Sequence, residues 1–361
     1  MKDRIKLFDP VIGMKEERVV KNILKSRFWA SGAGAGNVAK FEQEFKEYTS
    51  TKECIAVNSG TAALHLALSI PEIKGKEVIV PSLSFVATAH AVVYNGAKPV
   101  FADIDPCTLC IDPDSIRKLI TKKTRVILPV HFAGMPANLI KIDQICKESK
   151  CDMIEDAAHA AGSTYNKQKI GTHGLAVCFS YHPVKNLAMP TGGAITLNGN
   201  KATNLKKILN SRRWCGISDR VDWNYDVKDI GWNYYMNEFS AAIGRIQLKK
   251  LDQLNKKRKN IARQYFNKIQ VDKKMLFDED CSYHFYWIFV KNREQFMKKL
   301  KKQGIETGIH YNPIHKMTFY KESSKLPNTE KLANGIVSLP THPNLTEGDV
   351  IRIIDLVNKY A

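Results

Sequence analysis

Residues 77–104 read EVIVPSLSFVATAHAVVYNGAKPVFADI. Two short apolar runs, EVIVP (77–81) and KPVFADI (98–104), flank FVATAHAVVYNG (85–96), which has the alanines and valines of a packed helix and an Asn-Gly stop. A strand, a helix and a second strand in succession are the sequence form of a parallel crossover. The alternation continues through the apolar runs RVILPV (125–130), CDMIED (151–156), AVCFSY (176–181) and AITLN (194–198), with segments such as DPDSIRKLIT (112–121) between them. Upstream, CIAVNSG (54–60) leads into the helix-like TAALHLALS (61–69). The expected fold class is α/β: a large domain with a mostly parallel, seven-stranded-type sheet covered by helices on both faces. Ligands of such folds collect at the carboxyl ends of strands. Ser59, Phe85, His131, Asp156 and Lys185 all fall at such ends, which points to a single site.

Outside this block, Met14 to Lys25 carries Val19, Val20, Ile23 and Leu24 at helical spacing. SGAGAGN (31–37) forbids regular helix and suits either a joint between helices or a loop that lets backbone approach a ligand. A helical pattern runs from Asn237 to Phe266. Beyond it, HFYWIFVK (284–291), REQFMKKLKKQG (293–304), ETGIHY (306–311) and EGDVIRIIDLVNKY (347–360) suit a smaller C-terminal α+β domain. The expected division is residues 1–245, a large domain with an N-terminal arm, and 246–361, a small one.

Composition narrows the function. At 44% hydrophobic over 361 residues, the chain can bury a substantial core. Its net charge of +19 invites a nucleic-acid reading. The lysines, however, gather in helix-like stretches such as LKKLDQLNKKRKN (248–260), without interleaved aromatics, as on a solvated helix face. A basic surface also attracts anionic small substrates. No run reaches the roughly 18 apolar residues of a membrane span, and MKDRIKLFDP lacks a secretion-signal core, so a cytoplasmic protein is expected. The eight cysteines are scattered; Cys107 and Cys110 with Cys146 and Cys151 make too loose a set for zinc, and no metal is expected.

The chemistry centres on AVCFSYHPVKNLAMPTGG (176–193). A lysine condenses with an aldehyde only as the neutral amine, which burial or a nearby cation favours. Pyridoxal phosphate offers such an aldehyde, and an Asp against its ring nitrogen would hold a proton there. Lys185 at the exit of one strand, Asp156 at the end of another and Ser180 between them could hold the aldehyde, the ring nitrogen and the phosphate. The Asn58-Ser59-Gly60-Thr61 turn, where a strand hands over to a helix, is a second phosphate candidate. Each has an ordinary alternative: Asp156 and Ser59 as helix caps, His159 as a structural histidine, Phe85 as core. Strand alternation turns Glu155 to the face opposite Asp156.

Several ordered segments, SGAGAG (31–36), NSGTAALHLAL (58–68), the block 81–105, EDAAHAAGSTY (155–165), SYHPVKN (180–186), GWNYYMNEFSAAIGRIQLKKLD (231–252), GIHYNPIH (308–315) and LPTHPNLT (339–346), resemble the DegT-type pyridoxal-phosphate-dependent sugar aminotransferases of the aspartate aminotransferase fold. The resemblance implies that Lys185 is catalytic and carries the cofactor. Asp156 would pair with the ring nitrogen, His159 with the ring hydroxyl, and Phe85 would stack on the ring. Gly60, Thr61 and Ser180 would hold the phosphate, with Asn233 reaching over from a second subunit of a homodimer. Ser31, His182, His310 and Tyr311 would line the substrate side. The implied reaction moves an amino group from L-glutamate to a nucleotide-linked keto sugar in amino-sugar and polysaccharide biosynthesis, and the HPVK spacing favours a 4-keto sugar. Tyr235, Thr191 and Cys215 depart from the family's usual Arg, acidic residue and His. Related keto-deoxysugar dehydratases carry His where Lys185 stands; a non-catalytic relative acting through its basic surface is a third reading.

Overall fold

The computed structural model describes residues 4–321 and 324–361. Two helices, α1 (Met14–Ser26) and α2 (Asn37–Thr49), precede the first strand, β1 (Glu53–Val57). The alternating section then runs α3 (Gly60–Leu68), β2 (Glu77–Pro81), α4 (Ala87–Tyr94), β3 (Lys98–Ala102), α5 (Pro113–Leu119), β4 (Thr124–Ile127), α6 (Leu139–Ser149) and β5 (Asp152–Asp156). A two-rung hairpin, β6 (Thr164–Tyr165) with β7 (Gln168–Lys169), leads to β8 (Ala176–Ser180) and β9 (Gly193–Leu197).

Seven of these strands form one sheet in the order β1-β9-β8-β5-β4-β2-β3. β9 runs antiparallel to both neighbours, and every other pairing is parallel. Strand alternation divides the side chains between two faces. Cys54, Ala56, Ile79, Ile127, Val177 and Phe179 pack with Phe41 and Phe45 of α2 and Ile142 of α6. Ile55, Val57, Val78, Val80, Val126 and Cys178 pack with α3, α4 and α7 (Ala202–Arg213). A sheet buried on both faces explains why its strands read as continuous apolar runs.

After α7, the hairpin β10 (Ile217–Val221) and β11 (Asn224–Val227) projects with Trp223 at its tip, 83% exposed. α8 (Glu238–Lys268) follows, 31 residues and roughly 46 Å at 1.5 Å per residue. Arg245 ties it to Glu44 of α2 and Gln247 to Glu16 of α1, while Tyr265, nearer its end, donates to the Pro340 carbonyl. Residues 245 and 246 therefore lie within one continuous helix. The C-terminal part pairs β12 (Tyr286–Phe289) with β13 (Ile336–Leu339) antiparallel, flanked by α9 (Arg293–Lys302), α10 (Pro327–Ala333) and α11 (Glu347–Tyr360). The N-terminal arm joins it through backbone bonds between Ile5 and residues 304 and 306.

Candidate active site

A cavity of about 420 Å³ opens where β2, β5 and β8 end and α3 begins. At one end, Ser59 caps α3: its Oγ accepts the Ala62 N–H at 3.1 Å and its carbonyl the Ala63 N–H at 3.0 Å. The amides ahead of these, Gly60 and Thr61, belong to the helix start whose partial positive charge suits an anion, and both residues line the cavity. Ser180 ends β8 against this turn, so close that a Cβ on Gly60 would stand 2.6 Å from the Ser180 Cβ. Gly193 makes room on the other side, since a Cβ there would meet the Ser59 carbonyl oxygen at 2.5 Å.

Asp156 ends β5 with both oxygens engaged: the Thr88 hydroxyl donates to Oδ2 at 2.8 Å and the Ala158 N–H to Oδ1 at 3.1 Å. Burial pushes its pKa above the ordinary carboxylate value, while those two donors and the Lys185 charge pull the other way. Lys185 sits on the loop joining β8 to β9, in a turn closed by its own N–H donating to the His182 carbonyl at 2.8 Å. The next residue pins that loop, for Asn186 Nδ2 donates to Asn255 Oδ1 of α8 at 3.0 Å and to the Ser282 carbonyl at 2.9 Å. Burial brings Lys185 down to about 8 against the opposing attraction of Asp156. Roughly a tenth of the amine is then neutral at pH 7, against less than a thousandth for an ordinary lysine.

His159 Nδ1 accepts the Ala133 N–H at 3.3 Å, which leaves the proton on Nε2, 3.0 Å from the Tyr311 hydroxyl. Burial pushes His159 well below its usual value, and it brings His310, which bonds the Ser338 hydroxyl through Nδ1 at 2.8 Å, down to about 3. The imidazoles near Lys185 are thus neutral, polar but uncharged. Phe85, a residue 57% exposed, lines the cavity with its ring 5.9 Å from the Tyr311 ring. An apolar ring left open in a cleft is a surface for a flat partner.

Of the residues read from the sequence, Gly60, Thr61, Phe85, Asp156, His159, Ser180, His182, Lys185, His310 and Tyr311 all line this one cavity. Ser31 and Asn233 lie outside its lining in the single chain. The Asn233 carbonyl accepts from Asn58 Nδ2 at 3.2 Å, which holds it beside the α3 start. The loop of Ser31 owes its glycines to packing: Cβ atoms on Gly32, Gly34 and Gly36 would strike the side chains of Trp214, Arg213 and Glu238 at 2.1, 2.4 and 2.7 Å. His131, expected at the same strand-end site, turns away. Alternation gives Val130 to the cavity and leaves His131 fully buried on the other face, its Nε2 3.0 Å from Glu155 Oε2 and its Nδ1 accepting the Ala137 N–H. Thr191, singled out as a departure from the family pattern, is also on the cavity wall; sequence reading missed Thr88, Ser84, His284 and Phe8 there, and only the four-residue Ser84-to-Thr88 spacing at a helix start was there to be noticed.

The donor set fits pyridoxal phosphate: a helix start and a hydroxyl around a space that a single Cβ would fill, a carboxylate held between two donors, and a buried lysine of lowered basicity. Fold and site together define an aminotransferase that works with this cofactor. The chain belongs to the DegT/DnrJ/EryC1/StrS aminotransferase family, whose pattern matches residues 10–358. It is 35% identical over 376 aligned residues to the uncharacterised protein MJ1066 of Methanocaldococcus jannaschii, covering 98% of this chain and 97% of that one. The PLP-form of Spr1654 from Streptococcus pneumoniae superposes with a TM-score of 0.92 at 27% identity, covering 99% and 98% of the two chains. PseC of Helicobacter pylori, an aminotransferase involved in pseudoaminic acid biosynthesis, does so at 0.92 and 28%, covering 99% of each.

Proposed function

We propose that this enzyme transfers the amino group of L-glutamate to the keto group of a nucleotide-linked deoxysugar, a 4-keto sugar in the first instance, as a cytoplasmic homodimer that feeds amino-sugar and polysaccharide synthesis. The observation that carries the reading is the placement of Lys185 and Asp156 in one cavity with the phosphate-type cradle of Gly60, Thr61 and Ser180. Gly60, Thr61 and Ser180 would hold the cofactor's phosphate, Asp156 its ring nitrogen, His159 its ring hydroxyl and Phe85 its face, with Asn233 supplied by the second copy. When bound, pyridoxal phosphate supplies an aldehyde that captures amines and a ring that accepts the electron pair freed as a proton leaves the amino carbon.

The chain's own part is proton handling and water exclusion. Lys185, largely desolvated, takes a proton at Nζ and returns it, a role for which a pKa near the working pH is best matched. His182, His310 and Tyr311 would orient the sugar through polar, uncharged groups that add no positive charge beside Lys185. CalS13 of Micromonospora echinospora, a sugar aminotransferase 27% identical to this chain, supports the sugar as acceptor. The lysine at position 185, rather than histidine, favours transamination over dehydration.

The test is to incubate protein loaded with pyridoxal phosphate with 15N-labelled glutamate and a panel of nucleotide-linked 4-keto and 3-keto deoxysugars, reading product mass. Label in the sugar supports the reading. Loaded protein that neither aminates any sugar nor converts glutamate to 2-oxoglutarate overturns it.

A further inference from the structure

The segment leading into α4, with the first turn of that helix, does two things at once. It presents Phe85 to the cavity, and it buries two hydroxyls, Ser84 at 2% and Thr88 at 0% exposure. Their oxygens stand 2.8 Å apart, and Thr88 Oγ1 is 2.8 Å from Asp156 Oδ2. Proton counting orients the chain. Thr88 owns one hydroxyl proton and gives it to the carboxylate, so the bond between the two hydroxyls is donated by Ser84. Both dipoles then point at Asp156, each strengthening the other in a desolvated setting. The Ala158 N–H occupies the other carboxylate oxygen.

We propose that Ser84 and Thr88 form a positioning relay that holds the Asp156 carboxylate ionised and fixes its direction, so that the group it faces stays protonated. The inference rests on the reading of Asp156 as the partner of the cofactor's ring nitrogen and goes beyond it, assigning a role to two residues that line the cavity without belonging to the cradle or the lysine loop. A buried carboxylate loses the solvent that would keep it charged, and only donors or cations replace it. Lys185 and His131 are the basic side chains whose charge would favour the ionised carboxylate; the Lys185 amine must itself lose charge to act, and His131 lies on the far side of the strand end, beside Glu155. The hydroxyl relay holds its orientation whichever state the lysine is in. A role confined to packing would need no hydroxyl: valine has the shape of threonine and buries more comfortably.

The test follows Asp156 directly in the apo-protein by 13C carboxyl NMR, the resonance identified by its loss in Asp156→Asn. Thr88→Val removes the donor at constant shape and should raise the Asp156 midpoint by about one pH unit. Ser84→Ala should move it in the same direction by less, and Thr88→Ser should leave it near the native position. In parallel, Thr88→Val should weaken pyridoxal phosphate binding about tenfold, read by equilibrium dialysis, with Thr88→Ser restoring it. A folded Thr88→Val whose Asp156 titrates as in the native protein overturns the relay. If that variant does not fold, a native midpoint in Ser84→Ala overturns it equally. Native protein that takes up no pyridoxal phosphate would overturn the reading beneath the proposal, while the carboxyl titration still decides the relay on its own.

Discussion

Gly60→Ala tests the phosphate cradle with a single methyl. The new Cβ would stand 2.6 Å from the Ser180 Cβ, 3.0 Å from its Oγ and 3.2 Å from its Cα. Ordinary contact begins at 3.4 Å, so the α3 start and the end of β8 must separate by 0.8 Å along the shortest of these lines. The obstacle includes backbone, which cannot swing aside as the end of a long side chain would. Overpacking of this kind costs about 1–3 kcal/mol. Gly60 has no left-handed backbone to protect, so alanine returns up to about 1 kcal/mol of helix preference, and the net loss of stability is small. The loss in binding is larger. Amides moved by most of an ångström forfeit charge-assisted bonds of about 1.5–3 kcal/mol each, tenfold or more in affinity. The assay compares pyridoxal phosphate with pyridoxal, which lacks the phosphate, by equilibrium dialysis. The native protein should prefer the phosphorylated form strongly and Gly60→Ala should lose at least tenfold of that preference. Gly348→Ala, which meets only Thr346 Oγ1 at 3.8 Å, is the control and should change neither. Native discrimination in a folded Gly60→Ala would refute the assignment of the cradle.

Other expectations follow from the same geometry. With Lys185 at about 8, the rate of pyridoxal phosphate capture should climb with pH through 8 and then flatten, whereas a lysine of ordinary basicity would keep it climbing past 10. Between about 8 and 10.5 the unfolded chain binds a proton that the folded one does not, so apo-protein stability should rise with pH across that window, and Lys185→Met should remove this slope. His310 works in the acid range: its folded value of about 3 lies below the ordinary 6.5, so stability should fall as pH drops through that interval, and His310→Asn should flatten the fall in urea titrations. Glu42→Ala strands the guanidinium of Arg213, 1% exposed and 2.6 Å from the lost carboxylate, and should cost about 3–5 kcal/mol by urea unfolding; a loss under about 1 kcal/mol would contradict the pairing.

The sheet was legible because each of its strands is buried on both faces and so leaves an unbroken apolar run. Strand order was not, since nothing local in AITLN says that β9 inserts between β1 and β8 against the direction of both. Lys185 and Asp156 could be found as chemistry-bearing residues at strand ends, but the same rule misplaced His131, because a strand end has two sides and only Val130 takes the inner one. Thr88 escaped notice for a different reason: its bond to Asp156 spans 68 residues of sequence. Tyr311, expected on the substrate side, also reaches the His159 imidazole. The glycines of residues 31–36 fit neither a free joint nor a ligand-binding loop taken alone; each marks a side chain from elsewhere pressing on the backbone, which composition cannot reveal.

The connection that bears Lys185 leaves and re-enters the sheet on a single rung. Ser180 pairs with Gly193, and the Tyr181 N–H donates to the Gly192 carbonyl at 2.9 Å just beyond it. A helical crossover would have anchored the lysine between two separated strands and let any slip between them carry it along. Here both anchorages belong to one hydrogen-bonded ribbon, and Ser180, which we propose on the phosphate side, is part of that same ribbon. The distance between the Lys185 amine and Ser180 is thereby insulated from sliding of the rest of the sheet, β1 and the α3 start included.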